Sequence, residues 1–383
     1  MNSAPRLLHI VESAGVGGAQ RIMETLLLGA RDAGFEVSAA LPFDGPLVTR
    51  LQTAGIPCTN LPVDRLLDLR AGRVVRELVR RGVDIIHIHT PKAMLLTRVP
   101  AVWRMNPKPV VIAHLHGILV PALLADRAVT GTNRIKKNVW LILERIGHPH
   151  TDAFVFVTEA DRRRGFYPPE RSVVIPNGID PEEWRYSPPP SSGILLFPAR
   201  LSVQKDPQTL IEAAAILRDR GVDFRLWLAG DGELRPQIEK QISHHRLGEI
   251  VTLLGEVADP RPLYNQAQIV VLSTHREGQP LCLLEAMATG RPVVATAVNG
   301  IPETLADCGR LVPHSEPLPL ADTLQDLLDH PAVCYELSER GRLRFLKHFT
   351  SNQMITNTLS LYYRLLAKRA GQVQSVFQNF PGP

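Results

Sequence analysis

The sequence predicts an α/β protein made of two doubly wound parallel sheets. Short apolar runs alternate with amphipathic helical stretches along the 383 residues, a pattern typical of parallel strands covered by helices on both faces. The alternation stops at a run rich in proline and serine, residues 185–193, and then starts again. Because single hydrophobic cores stop growing beyond about 250 to 300 residues, we expect two domains joined by that linker.

The first domain is predicted over residues 1–184. Its apolar runs are short, as strands are, and several of the stretches between them repeat their apolar residues with a helical period. The predicted strands are 7–11, 37–41, 84–89, 110–114, 153–157 and 173–175, and the predicted helices are 21–33, 46–54 and 70–80.

The second domain is predicted over residues 194–353 on the same pattern. A helical stretch, 354–371, follows its last strand and is expected to return to the first domain, and the tail 372–383 is expected to fray. The predicted strands are 194–198, 224–229, 251–254, 269–272, 292–296 and 309–312, and helices are expected to begin near Pro207, Leu234, Pro260, Pro280 and Ile301.

Composition narrows the classes of function. Residues 65–145 hold 15 basic and 5 acidic side chains, an excess larger than the net charge of +5 for the whole chain. Such a segment implies an anionic neighbour, which is nucleic acid, a membrane surface or a phosphorylated substrate. Nucleic acid is the weakest of the three, because aromatic residues make up only 5% of the chain and no recognition motif accompanies the charge.

Two features predict a cytoplasmic protein whose membrane contact, if it has one, is peripheral. Cys58, Cys282, Cys308 and Cys334 form no Cys-x-x-Cys pair, so buried reduced thiols are expected rather than disulfides or a zinc site. No stretch approaches the ~18 consecutive apolar residues that a membrane helix requires.

A glycine-rich loop follows the first predicted strand and leads into a helix. Gly17 and Gly18 let backbone amides approach an anion, and the start of the helix adds a favourable dipole. Gln20 stands where a dinucleotide fingerprint has its last glycine or alanine. A tight turn that binds no ligand explains the loop about equally well.

Two cations, Arg200 and Lys205, lie just beyond a predicted strand of the second domain. Arginine offers a planar fork of donors and lysine a compact charge, a combination suited to a diphosphate that gains negative charge as it leaves. The alternative is a pair of solvated surface charges, but ligands of such sheets bind at the carboxyl ends of strands, where these residues are predicted.

The stretch 273–290 is the most informative part of the chain. Pro280 and Gly290 are expected to begin and end one short helix, which places Glu277 in the loop before it. There Glu277 is expected to accept hydrogen bonds from a sugar, while nearby backbone amides receive a phosphate. Glu285 lies on an otherwise apolar helix, so it needs a partner or a ligand such as a ribose diol. The residues after Glu277 that are predicted to bind this ligand are Gly278, Gln279, Pro280, Leu281 and Glu285.

Two further patterns have open interpretations. His87 and His89 alternate onto one face of a predicted strand; they are interpreted as cleft residues or satisfied core groups rather than metal ligands, since no third ligand is evident nearby. Arg134, Lys136 and Lys137 belong to a basic helical stretch with an apolar face, which fits a partly buried surface helix or a membrane contact.

Six motifs stand in one register along nearly the whole chain, and together they resemble glycosyltransferase family four. The resemblance implies the GT-B fold, in which two Rossmann-like domains face each other across a cleft. Where many members have Glu-Gly-Phe-Gly, this chain has Glu-Gly-Gln-Pro, so the entry to the helix differs. The motifs are Gly17-Gly18, His-Leu-His-Gly at 114–117, Pro-Asn-Gly-Ile-Asp at 176–180, Arg200 with Lys205, Ala-Gly-Asp-Gly at 229–232, and Glu277 with Glu285.

The resemblance also implies an activity: retaining sugar transfer from a UDP- or GDP-linked nucleotide sugar, with no cofactor and no metal. Arg200 and Lys205 match the pair that holds the donor diphosphate, Glu277 the glutamate that contacts the sugar, and Glu285 the glutamate that binds the ribose. His116 matches a histidine beside the reacting sugar, and Gly17-Gly18 match a loop that closes over phosphates and acceptor.

The acceptor is expected to be anionic, because the basic segment falls in the domain that receives the acceptor in this family. A lipid-linked glycan at the inner membrane surface, in exopolysaccharide or cell-surface assembly, would meet that charge; a soluble small acceptor is the alternative. A non-catalytic nucleotide-sugar-binding subunit and a nicotinamide-dependent oxidoreductase are the other hypotheses. The predicted acceptor-side residues are Gly17, His89, Arg134, Lys136 and Lys137.

Overall fold

The computed structural model describes residues 4–63, 68–102, 105–117, 132–164, 166–372 and 376, with the backbone alone for 100–102 and 132–137. The chain forms two compact units, residues 1–177 with 352–383, and residues 178–351. The division thus lies ahead of the proline- and serine-rich run at 185–193. Ile179 and Trp184 pack into the core of the second unit, which explains why the chain joins that unit before the run begins.

The described residues of the first unit form a seven-stranded parallel sheet with the order β3-β2-β1-β4-β5-β6-β7. All six predicted strands of this unit are confirmed. The strand β3 was missed, because Cys-Thr-Asn is a three-residue edge strand with neither an apolar run nor alternation. The strands are β1 Arg6–Ile10, β2 Glu36–Leu41, β3 Cys58–Asn60, β4 Ile85–Ile88, β5 Val110–Leu115, β6 Ala153–Phe156 and β7 Ser172–Val174.

Helices of this unit begin where local residues favour it. Pro46 occupies the first turn of α2, where its missing amide hydrogen costs nothing, and the Asp68 carboxylate caps α3 by accepting from the Arg70 amide. The apolar face of α1 buries Ile22, Met23, Leu26 and Leu27 at helical spacing. The helices are α1 Gly18–Asp32, α2 Pro46–Thr53, α3 Leu69–Arg80, α4 Pro91–Val102, α5 Thr132–Gly147 and α6 Glu159–Arg162.

The second unit forms a six-stranded parallel sheet with the order β10-β9-β8-β11-β12-β13, and its six predicted strands are confirmed. Its strands are β8 Ile194–Phe197, β9 Arg225–Ala229, β10 Val251–Gly255, β11 Ile269–Leu272, β12 Val293–Thr296 and β13 Arg310–Val312. Its helices are α7 Pro207–Asp219, α8 Arg235–His244, α9 Arg261–Gln266, α10 Leu281–Thr289, α11 Ile301–Leu305, α12 Pro317–Asp329 and α13 Pro331–His348.

The last helix, α14 Ser351–Arg369, lies almost wholly within the first unit, where it buries Leu361, Tyr362 and Leu365. Gly29 on α1 leaves room for Ile355 of α14, since a Cβ on Gly29 would lie 2.7 Å from the Ile355 side chain. Among the helices in the described ranges, none combines the length and the hydropathy needed to cross a membrane.

Strand order positions the functional loops. Each sheet winds outward in two directions from a central pair, which is β1 and β4 in the first unit and β8 and β11 in the second. At such a switch point the loops that follow the two strands diverge and leave a crevice for a ligand. The loops after β1, β4, β8 and β11 carry most of the predicted site residues.

Candidate active site

Two glycines fix the loop that carries Arg200 at the carboxyl end of β8. A Cβ on Gly230, whose φ is 157°, would lie 2.2 Å from the carbonyl oxygen of Ala199, and one on Gly232 would lie 2.4 Å from that of Leu201. The Leu201 amide in turn donates to the Asp231 carbonyl at 3.1 Å. The loops after β8 and β9 are therefore in backbone contact, and Arg200 is exposed on the resulting ridge.

Lys205 and Glu277, which are 72 positions apart in sequence, form an ion pair through Lys205 Nζ and Glu277 Oε1. The side chains are 16% and 10% exposed, so this charge pair is largely removed from water. The chain turns sharply after Lys205, because Asp206 has a left-handed φ of 46° and caps α7 by accepting from the Thr209 amide at 3.3 Å. The two residues assigned to diphosphate and sugar thus lie side by side.

Several polar groups that sequence reasoning missed hold Glu277 in place. The Thr274 hydroxyl lies 3.2 Å from Glu277 Oε1, and the Gln204 side-chain amide donates to the same oxygen at 3.4 Å. The Glu277 amide donates to Asn299 Oδ1 at 3.2 Å. Gln204 lies next to Lys205 and Thr274 lies three residues before Glu277, whereas Asn299 is brought in from the loop after β12. The carboxylate is therefore oriented by the loops after β8 and β11, and the Glu277 backbone is held by the loop after β12.

The helix after Glu277 has the predicted bounds. Pro280 precedes the first residue of α10, and Gly290 ends the helix with a φ of 78°. The amides of Leu281 and Cys282 stand at the start of the helix, where no carbonyl four residues earlier belongs to it, so they face the loop. Burial raises the pKa of the Cys282 thiol to about 12, and it stays protonated at neutral pH.

Glu285 is buried, with 4% of its surface exposed. It accepts a hydrogen bond at 2.7 Å from the hydroxyl of Tyr264, which is itself fully buried against Trp184. The partner that this residue was expected to need is therefore Tyr264. A contact between Glu285 and a ribose stays a prediction, and Tyr264 is a partner that sequence reasoning did not find.

The glycine-rich loop of the first unit lies at the carboxyl end of β1. Gly17 precedes α1 in an extended conformation, and the Gln20 side chain folds back beside it and donates to the Ser13 carbonyl at 3.3 Å. A Cβ on Gly45 would lie 2.3 Å from the Ala14 carbonyl oxygen, so this glycine allows the loop after β2 to touch the loop after β1. The residue that breaks the dinucleotide fingerprint thus anchors the loop instead.

The expectation that no third imidazole lies near His87 and His89 was wrong. His9 on β1 lies opposite His87 on β4, and neighbouring β5 contributes His114 and, at its end, His116. The rings of His9, His87, His89 and His114 are 0–1% exposed, whereas His116 is partly exposed. His89, predicted to face the acceptor, therefore lies behind His116. The sequence showed that His87 and His89 alternate along one strand. It did not show that the register of the neighbouring strands brings further histidines beside them.

Burial sets the charge state of this cluster. It lowers the pKa of His9 and His116 to about 3, and it lowers the pKa of His87, His89 and His114 well below the ordinary value, with repulsion from neighbouring rings as the smaller cause. All five rings are therefore neutral at pH 7. Neutral imidazoles are also metal ligands, and ring nitrogens of His9, His87 and His89, and of His89, His114 and His116, lie within 4.8 Å of one another.

The basic helix α5 is only partly described. The side chains of Arg134, Lys136 and Lys137 lie outside the described residues. Further along, α5 exposes Val139, Ile142 and Ile146 to 43%, 59% and 50%, beside exposed Arg145. Its opposite face buries Glu144, which pairs with Arg98 at 2.6 Å with both side chains 1% exposed. One cation of the basic segment is therefore neutralised inside the unit.

Each of the two units matches the model of a known protein family. A model described as Glycosyltransferase Family 4 matches residues 16–183, and one described as Glycosyl transferases group 1 matches residues 192–330. The EpsD protein of Bacillus subtilis (strain 168) is 26% identical over 352 residues, covering 85% of this chain and 89% of its own.

Two further comparisons extend over most of the chain. The UDP-Gal:alpha-D-GlcNAc-diphosphoundecaprenol alpha-1,3-galactosyltransferase of Escherichia coli is 24% identical over 326 residues, which are 78% of this chain and 81% of its own. The crystal structure of Anabaena Alr3699/HepE in complex with UDP and glucose superimposes with a TM-score of 0.78 at 21% identity, covering 94% of this chain and 99% of that one.

Proposed function

This chain belongs to glycosyltransferase family 4 and has its GT-B fold, and from that premise we propose a retaining transfer of a sugar from a nucleoside-diphosphate sugar to an acceptor hydroxyl. The observation that carries the proposal is the Lys205–Glu277 pair beside the start of α10, at the switch point of the second sheet. It puts a cationic and an anionic group beside the first amides of α10, a combination that suits a sugar diphosphate.

Each group has a role in the proposed reaction. Arg200, Lys205 and the amides at the start of α10 bind the diphosphate and stabilise the charge it gains as the bond from sugar to phosphate breaks. Glu277, oriented by Thr274 and Gln204, accepts hydrogen bonds from the sugar hydroxyls. The acceptor hydroxyl attacks the anomeric carbon from the face that the diphosphate leaves, and its proton passes to the departing phosphate.

Three residues complete the assignment. Glu285, held by the Tyr264 hydroxyl, binds the ribose, and the partly exposed His116 supports the reacting sugar without transferring a proton, since its pKa of about 3 keeps it neutral. The cationic pair takes the place that a divalent metal has in Asp-x-Asp transferases, and the sequence contains no Asp-x-Asp. We therefore propose a reaction that needs neither metal nor cofactor.

We further propose an anionic acceptor linked to a lipid. The basic segment 65–145 supplies the charge, and the exposed Val139, Ile142 and Ile146 of α5 supply an apolar stripe for peripheral contact with the inner membrane surface. The Escherichia coli relative is named for a diphosphoundecaprenol acceptor. A soluble acceptor is the second candidate, because a 24% identical relative from Bacillus anthracis is named N-acetyl-alpha-D-glucosaminyl L-malate synthase.

A donor screen tests the proposal first. Thermal stability is measured with a panel of UDP- and GDP-sugars, and a donor at 100 times its Kd should stabilise the protein by roughly 2.7 kcal/mol. The selected donor is then supplied with a diphosphate-lipid acceptor, and the anomeric configuration of the product is read by NMR. Stabilisation by no nucleotide sugar, or a product of inverted configuration, would contradict it.

Two substitutions then test the residue assignments. Lys205→Ala and Glu277→Gln should each abolish transfer while the fold is retained, with Lys240→Ala on the exposed face of α8 as the matched control. Binding of the donor without any transfer or hydrolysis by the wild type would favour the non-catalytic subunit.

A further inference from the structure

The rings of the histidine cluster and the hydroxyl of Tyr362 form one unbranched hydrogen-bonded chain within the first unit. Tyr362 stands in the middle of it, and His114 and His116 stand at its two ends. The links are His114 Nδ1 to His87 Nε2 at 3.2 Å, His87 Nδ1 to the Tyr362 hydroxyl at 2.5 Å, that hydroxyl to His9 Nε2 at 3.2 Å, His9 Nδ1 to His89 Nε2 at 2.8 Å, and His89 Nδ1 to His116 Nε2 at 3.0 Å.

The number of available protons limits the tautomers that the rings of this hydrogen-bonded chain can adopt. Each neutral ring has one N–H and one lone pair, and burial raises the pKa of Tyr362 well above its usual value, so its hydroxyl keeps a single proton to donate. The three inner rings use Nδ1 towards one neighbour and Nε2 towards the other, and the two end rings use one nitrogen each. One proton per link is therefore possible in only two ways: all five rings carry the proton on Nδ1, or all five carry it on Nε2.

We propose that Tyr362 is a positioning residue that couples the two halves of this chain, so that the five rings share one tautomer and the last helix ties the tautomer of His116 to that of His114. A mixed arrangement would set two N–H groups or two lone pairs against each other inside the unit and would leave both without a bond. The hydroxyl of Tyr362 extends that constraint from His87 to His9.

The constraint extends to the two ends of the chain, His116 and His114. Their outer nitrogens, Nδ1 of His116 and Nε2 of His114, are both buried, and the Asn177 side chain is a hydrogen-bond partner of the His116 ring. The shared tautomer therefore decides whether the buried Nδ1 of His116 carries a proton or a lone pair. The inference rests on the proposed function only in that His116 is the residue assigned to support the reacting sugar.

Hydrogen bonds account for these atoms without a metal ion. A nitrogen that donates or accepts within the chain has no lone pair left for a metal, and all six ring nitrogens of His9, His87 and His89 are used in this way. The chain also uses eight of the ten ring nitrogens.

The test is NMR of the full-length protein labelled with ¹⁵N-histidine. The signals of the five rings are assigned from single His→Gln variants, which also separates them from His148, whose pKa burial lowers to about 4. We expect all five to report the same tautomer in the wild type. A mixed set of tautomers, or a stoichiometric metal in the purified protein that shifts these signals on removal, would overturn the inference.

Tyr362→Phe keeps the packing and removes the link. His9, His89 and His116 are then free to choose a tautomer independently of His87 and His114, so His116 should show both forms. Tyr363→Phe, on the half-exposed neighbour, should match the wild type. An unchanged uniform pattern in Tyr362→Phe would refute the coupling, whereas absence of transfer in every protein would refute the proposed function alone.

Discussion

Lowering the pH should open the first unit well before the second. The four histidines His9, His87, His89 and His114 are 0–1% exposed and have pKa values far below their value in the unfolded chain, about 6.5. At pH values between the pKa of the folded state and that of the unfolded state, the unfolded chain binds protons that the folded protein does not. The first unit therefore has its full free energy of unfolding above about pH 7 and loses stability as the pH falls below about 6.5.

The magnitude follows from the number of rings. Each contributes about 1.4 kcal/mol per pH unit, so the four together give on the order of 5 kcal/mol per pH unit below about pH 6. For His9, whose folded pKa is about 3, the full loss is on the order of 5 kcal/mol. Since a domain has about 5–15 kcal/mol of stability, the first unit should be open by about pH 5.

Hydrogen exchange measured by mass spectrometry separates the two units. Opening free energies at pH 7.5, 6.5 and 5.5, corrected for intrinsic exchange, are compared between peptides of β1, β4 and β5 and peptides of β8, β11 and β12. His114→Gln should reduce the slope of the first unit by about a quarter, since one of the four buried rings is removed, and His244→Gln, an exposed ring in the second unit, should leave it unchanged. Equal slopes in both units would refute the reasoning.

Three further predictions concern other buried pairs and the exposed stripe. Arg98→Ala leaves Glu144 without its cation and should cost about 3–5 kcal/mol in urea unfolding, whereas Arg98→Met with Glu144→Leu should recover most of it; equal losses would contradict a paired buried charge. Tyr264→Phe removes the hydroxyl that donates to Glu285 and should cost about 2 kcal/mol, with weaker donor binding in calorimetry; unchanged affinity would separate Glu285 from the nucleotide. Ile142→Asp should weaken flotation with anionic vesicles without lowering thermal stability, because this side chain is 59% exposed; unchanged flotation would count against membrane contact through α5.

The regular elements could be predicted because their signals are local. Apolar runs and helical periodicity depend on neighbouring residues, so twelve strands were found from the sequence. The edge strand β3 was missed because its three residues carry no such period. Pro280 and Gly290 predicted the bounds of α10, since one lacks an amide hydrogen and the other tolerates a left-handed conformation.

The site could be predicted only in part. Arg200, Lys205, Glu277 and Glu285 follow from their positions after strands and within one motif, but no pattern in the sequence says that Lys205 and Glu277 touch. Tyr264 and Asn299 lie outside every motif and reach the site through the packing of their own elements. Their contribution depends on distance in space, which residue spacing does not encode.

Sequence alone thus determined the class of fold, the two-domain plan and the family, because each rests on the order of short-range patterns along the chain. Tertiary structure decided which polar groups meet. His9, His87 and His114 come from three segments that are far apart in sequence, and only the register of β1, β4 and β5 brings their rings together. Tyr362 joins them because α14 returns to the first unit. A chain of hydrogen bonds across neighbouring strands and a distant helix is a property of packing, and it exists only once the sheet has formed.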